Sequence, residues 1–136
     1  TQHIVPLCDY VITILTELRK LTGQNDYVFT SRSGHPYGKD SLRMALRRTG
    51  VSDDMATPHG FRATARTMLE EILGERYDLI EHQLAHTVRD PNGRAYNRTT
   101  HLPERKRMME RWGKYLDNLR NGSLEIPPFD HKPEHV

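Results

Sequence analysis

The sequence predicts a mainly α-helical fold with a few short strands. Three observations predict it. Apolar residues recur at three- and four-residue spacing along most of the chain. Prolines and glycines stand at the ends of those stretches, where helices start and stop. The apolar runs too short for a helix are confined to His3–Leu7 and Tyr27–Phe29.

The elements follow in order. His3–Leu7 reads as the end of a strand, broken by Pro6. Asp9 can cap a helix whose apolar positions are Val11, Ile14, Leu15 and Leu18, ending near Gly23. Tyr27–Phe29 reads as a short buried extended run, and residues 31–38, with Gly34 and Pro36, as a turn. The stretch 39–49 is a helix with Leu42, Ala45 and Leu46 inward, Arg43, Arg47 and Arg48 elsewhere, and Gly50 at its end. Thr57-Pro58 opens the next helix: Thr can satisfy bare backbone N–H groups, and Pro suits the first helical position. Its stripe is Phe61, Ala65, Met68, Leu69 and Ile72, while His59, Arg62 and Arg66 share a flank, and Gly74 stops it.

A second helix over 75–85 turns Tyr77, Ile80 and Leu84 inward and delivers His86 at its C-terminal end. Asp90-Pro91 opens a short helix holding Tyr96, which Gly93 weakens by about 1 kcal/mol relative to Ala. Pro103 opens the last helix, striped by Met108, Trp112, Tyr115, Leu116 and Leu119 and ended by Asn121-Gly122. The remainder of 121–136, with Pro127, Pro128 and Pro133, reads as an extended or disordered tail behind one domain over 1–120.

The chain has 136 residues, enough for one domain with a core, and 28% of them are charged. No apolar run approaches the length of about 20 residues that spans a bilayer, and no secretory signal opens the sequence, so no membrane partner is expected. The single cysteine, Cys8, excludes an internal disulfide and fits a reducing cytoplasm; beside an apolar helix it reads as a small buried residue. Net charge is only +2, but its distribution is uneven. Between His86 and Arg111, Arg89, Arg94, Arg98, Arg105, Lys106, Arg107 and Arg111 face only Asp90, Glu104 and Glu110, a basic cluster suited to a phosphate-rich partner. Arg43, Arg47, Arg66, Arg89, Arg94 and Arg98 are candidate contacts to a DNA backbone, although a solvated helix face explains Arg43 and Arg47 equally well.

His59-Gly60-Phe61-Arg62, then Leu84-Ala85-His86, then Tyr96 ten residues later form an ordered set. The set resembles the catalytic half of the tyrosine recombinases, the phage integrase family, with its His-x-x-Arg motif, its Leu-Gly/Ala-His motif and its nucleophilic tyrosine. The wording Ala95-Tyr96-Asn97-Arg98 and the run from Pro103 to Trp112 look most like integrases of satellite phages and genomic islands, and the resemblance extends from His3 to about Leu119. It implies part of the DNA breaking-rejoining catalytic domain, double-stranded attachment-site DNA as partner, a tetramer on DNA, and a place at the bacterial nucleoid. It also implies an upstream arginine and a lysine on a β-hairpin, neither of which can be matched here. A C-terminal fragment is therefore expected, inactive and monomeric by itself.

The residue types suit that chemistry. A tyrosine hydroxyl can attack a phosphodiester to give a phosphotyrosine, but ionising it at pH 7 costs about 4 kcal/mol. His59 is the expected proton-transfer partner, Arg62 can fork onto two phosphate oxygens, and His86 can donate to the same phosphate. No metal or cofactor is called for, because side chains supply the cations. Three rivals are weaker. His82 and His86 have zinc-motif spacing, but Gln83 stands where the general base belongs. A topoisomerase of type IB uses a similar site merely to relax DNA. A non-catalytic DNA-binding helical module would reduce Tyr96 to packing.

Overall fold

A computed structural model describes residues 3–86 and 101–129. Its elements are all helical: α1 (Asp9–Thr22), α2 (Ser41–Arg48), α3 (Pro58–Glu71), α4 (Tyr77–Gln83) and α5 (Leu102–Arg120). The chain divides into two compact units, one made of residues 1–11 with 66–136 and the other of residues 12–65.

The helix ends match the punctuation in the sequence. Thr57 Oγ1 accepts from the Gly60 amide at 2.9 Å, the cap expected at the start of α3. At the end of α2 the Val51 amide donates to the Leu46 carbonyl and Gly50 to Arg47. At the end of α5 Ser123 donates to Asn118 and Gly122 to Leu119. These are paired Schellman closures, each turning on a glycine at positive φ (87° at Gly50, 77° at Gly122). The end of α4 has the same closure, but the left-handed position is filled by Ala85 at φ 54°.

The larger unit holds the core. Leu69, Leu73, Leu79, Ile80, Met108 and Tyr115 are buried together, with Met68, Leu84, Met109, Trp112 and Leu119 packed around them. Helix α5 thus lies against α4 within the same chain. A polar clamp joins three separate segments. Arg105 is fully buried; its Nε and Nη2 donate to the side-chain carbonyl of Gln83 at 2.9 and 2.7 Å, and Nη2 donates to the Ile4 backbone carbonyl at 2.7 Å. Among the described residues its Nη1 has no partner. Burial lowers the pKa of this guanidinium. Further along α5, Arg111 pairs with Glu75, donates to the carbonyls of Leu73 and Pro127, and lies 3.7 Å from the centre of the Phe129 ring. Residues 123–129, without regular secondary structure, are held to α5 by that contact. Cys8 is buried as expected. It abuts Gly113 so closely that a Cβ there would stand 2.5 Å from its sulfur.

Polar contacts tie the loops of the smaller unit. Thr22 Oγ1 donates to the Val28 carbonyl at 2.9 Å, Asn25 Nδ2 to Thr30 Oγ1 at 2.9 Å, and the Ser31 amide to the His35 carbonyl at 2.8 Å. Neither α1 nor α2 has a buried residue.

Two expectations need correction in detail. The short strands do not form: among the described residues the only β-pairing is one antiparallel bridge, Thr30 with Pro36. A strand needs a ladder partner, and here the Ile4 and Val28 carbonyls are taken by the side chains of Arg105 and Thr22. Several residues assigned inward are exposed, among them Phe61 (56%), Tyr77 (53%), Leu42 (54%) and the Tyr27–Phe29 run. Periodicity identifies the apolar face of a helix but not whether a second layer covers it.

Candidate active site

The two units carry the expected site residues in separate groups. In the smaller unit, His59 and Arg62 stand on the first turns of α3, His59 exposed and Arg62 half-buried. Their three-residue spacing on a capped helix puts both on one flank. Arg43 and Arg47 of α2 converge on the carboxylate of Asp53. The hydrogen bonds from these two guanidinium groups hold the Asp53 carboxyl far below the ordinary aspartate range. A phosphate approaching them would compete with Asp53.

In the larger unit, His86 follows the Schellman closure of α4. Its amide donates to the Glu81 carbonyl at 3.0 Å, and its ring Nδ1 lies 2.7 Å from Glu81 Oε2. His86 is therefore attached twice to one residue, through backbone and through side chain. The other carboxylate oxygen of Glu81 accepts from Arg66 Nε at 2.7 Å. Arg66 also reaches Glu70 at 3.4 Å and lies 5.2 Å from the centre of the Tyr77 ring. Glu81 is 7% exposed. Burial alone would push its carboxyl pKa up, but the bonds from His86 and Arg66 outweigh burial and hold it below the ordinary value. Glu81 is thus an ionised acceptor at neutral pH. Arg66, expected as a DNA contact, is engaged by Glu81.

Ala85 explains part of the Leu84-Ala85-His86 wording. The position requires positive φ, which glycine adopts at no steric cost and alanine at about 1–2 kcal/mol. The small residue before His86 is thus set by backbone conformation. One turn of chain earlier, His82 has its pKa lowered by burial and by the nearby charges of Arg105, His3 and His101, against an opposing effect of Asp78. Its neighbour Gln83 faces Arg105, so the residue that breaks the zinc motif has a structural task. Tyr96, Arg89, Arg94 and Arg98 lie outside the described residues. Glu81 was not singled out as a site residue from the sequence. Its signal is its place five residues before the histidine, across a helix-ending turn.

The chain is 35% identical over 126 residues to prophage integrase IntA of Escherichia coli K12, covering 91% of this chain and 30% of that protein. It is 35% identical over 129 residues to the integrase of Enterobacteria phage P4, covering 92% of this chain and 29% of that protein. To the integrase of Shigella phage Sf6 it is 31% identical over 118 residues, 85% of this chain and 30% of the relative. The chain therefore spans about a third of the length of these curated relatives. No protein-family model matches it, and no solved structure matches it. Similarity to integrases of prophages and phages over nine-tenths of its residues places the chain in the phage integrase family.

Proposed function

We propose that the chain is the C-terminal part of the catalytic domain of a tyrosine-type site-specific recombinase, with residues 1–120 in that domain and 121–136 as its tail. Tyr96 attacks a DNA phosphodiester, the phosphorus–oxygen bond to the 5′ oxygen breaks, and a 3′-phosphotyrosine forms. The departing 5′ hydroxyl, or that of another strand, later attacks the phosphotyrosine and releases Tyr96. Bond energy is kept in the covalent link, so no ATP is needed. His59 exchanges the proton, Arg62 forks onto the phosphate oxygens, and His86 donates to the same phosphate. The partner is double-stranded attachment-site DNA in the bacterial cytoplasm, at the nucleoid, engaged by a tetramer; the 136-residue chain alone is an inactive monomer. No helix among the described residues is long and apolar enough to cross a membrane.

One observation carries this reading: the integrase similarity covers nearly the whole stretch in which His59, Arg62, His86 and Tyr96 occur in order. The names of the relatives favour integration over simple relaxation of DNA. The test is a nicked suicide DNA substrate incubated with the full-length protein that carries this segment. A covalent protein–DNA adduct is expected, and is expected to be absent from Tyr96→Phe. An adduct that persists in Tyr96→Phe removes Tyr96 from the role.

A further inference from the structure

We propose that Glu81 is a positioning residue for His86, fixing the ring proton on Nδ1 so that the reacting phosphate is met through Nε2. This rests on the recombinase reading for the identity of the phosphate, but not for the arrangement itself. An ionised carboxylate can only accept hydrogen bonds. At 2.7 Å from Glu81 Oε2, Nδ1 must therefore be the donor. In the neutral ring this leaves Nε2 as an acceptor, and in the imidazolium it makes Nε2 a second donor. The negative charge that builds on a phosphoryl group during transfer favours the imidazolium and its Nε2–H donation.

The carboxylate is itself held. Arg66 Nε occupies its other oxygen at 2.7 Å, and Glu70 and the Tyr77 ring brace that arginine. Glu81 is almost wholly buried, so its rotamer is fixed by packing. The backbone bond from the His86 amide to the Glu81 carbonyl sets the distance between the two side chains at the closure of α4. His86, at the exposed end of this arrangement, is thereby directed without being buried. The chain Arg66–Glu81–His86 does for a phosphate-binding histidine what an orienting carboxylate does for a metal-binding one.

The test has two arms. In the 136-residue chain, long-range proton–nitrogen NMR reads the His86 tautomer directly, with His86→Asn used for assignment. Nδ1–H is expected in the wild type. Glu81→Gln, whose amide can donate to the ring, is expected to move the proton to Nε2. Nε2–H in the wild type, or no change in Glu81→Gln, overturns the proposal. In the full-length protein, Glu81→Gln is expected to slow formation of the tyrosine adduct by about 10–100-fold with DNA binding retained. In a His86→Asn background, the same substitution is expected to cause no further loss. A defect of Glu81→Gln that is undiminished in that background shows a merely structural role and overturns the proposal. If the wild type forms no adduct at all, the recombinase reading falls, while the NMR arm still decides whether Glu81 sets the His86 proton.

Discussion

The two units of the chain are built on different terms. In the larger one, side chains from α3, α4 and α5 close on each other, and six buried apolar residues form one cluster. In the smaller one, α1 and α2 are amphipathic and have no fully buried residue, and Leu21, Val28, Phe29, Leu42, Met55 and Phe61 are exposed. Both have well-closed helix ends, at α2 in the smaller unit and at α4 and α5 in the larger. Periodicity and C-terminal closure therefore suffice to shape a helix, but the burial that stabilises it depends on what lies opposite.

That contrast can be broken most directly by truncation. Ile80→Ala, at a fully buried site, is expected to destabilise the chain by about 2–5 kcal/mol. Leu42→Ala, at a half-exposed site, is expected to cost less than about 1 kcal/mol. Denaturant unfolding followed by Trp112 fluorescence measures both, and equal losses would erase the distinction. Next in size is the clamp of the larger unit. Gln83→Leu leaves the buried Arg105 without its side-chain acceptor and is expected to cost about 3 kcal/mol. A loss as small as that of Leu42→Ala would show that Arg105 finds another partner.

Gly113→Ala sets a methyl group against the Cys8 sulfur and is expected to cost about 1–3 kcal/mol. Adding Cys8→Ala should recover part of that loss, and thermal melting of the single and double variants tests the pair. A smaller change, of opposite sign, is expected at the α4 end. Ala85→Gly should stabilise the chain by about 0.5–1 kcal/mol, because it removes the left-handed strain. A lower melting temperature would mean that Ala85 carries no strain.

The smallest effect belongs to the smaller unit and depends on pH. The folded-state pKa of Asp53 is depressed, so its ion pairs contribute fully above the ordinary aspartate pKa of about 3.9. That contribution is lost only as pH falls through the lower folded value. Carbon NMR of the Asp53 carboxyl should show it still ionised where ordinary aspartates have protonated, and Arg43→Ala should move its titration upward. A titration at the ordinary value would contradict the pairing.

Helix ends are legible in the sequence of both units. Thr57, Gly50 and Gly122 mark their helix ends because each supplies a backbone need that few other residues meet. The stripe of α5 is also legible, but its burial depends on Leu69, Leu73, Leu79 and Ile80 packing against it, and Leu116 stays exposed. Phe61 and Leu42 were misplaced because their exposure is decided by neighbours distant in sequence. The ordered set of His59, Arg62 and His86 is visible in the sequence through its resemblance to the family's motifs. The support behind His86 is not, since Arg66 and Glu81 are fifteen residues apart and meet only when α3 and α4 fold. Nor did Gln83 announce itself as the acceptor for Arg105, twenty-two residues away.

The contact of Cys8 with Gly113 has a practical consequence. Cys8 is the only sulfhydryl in the chain and is buried against Gly113 of α5. Attack by a thiol reagent on so buried a sulfur requires a local opening around it. Its modification rate is therefore a built-in clock for that opening, readable on the unmodified protein without an added probe. Slowing of this clock on DNA would report, from a position far along the chain from Tyr96, that binding tightens the larger unit.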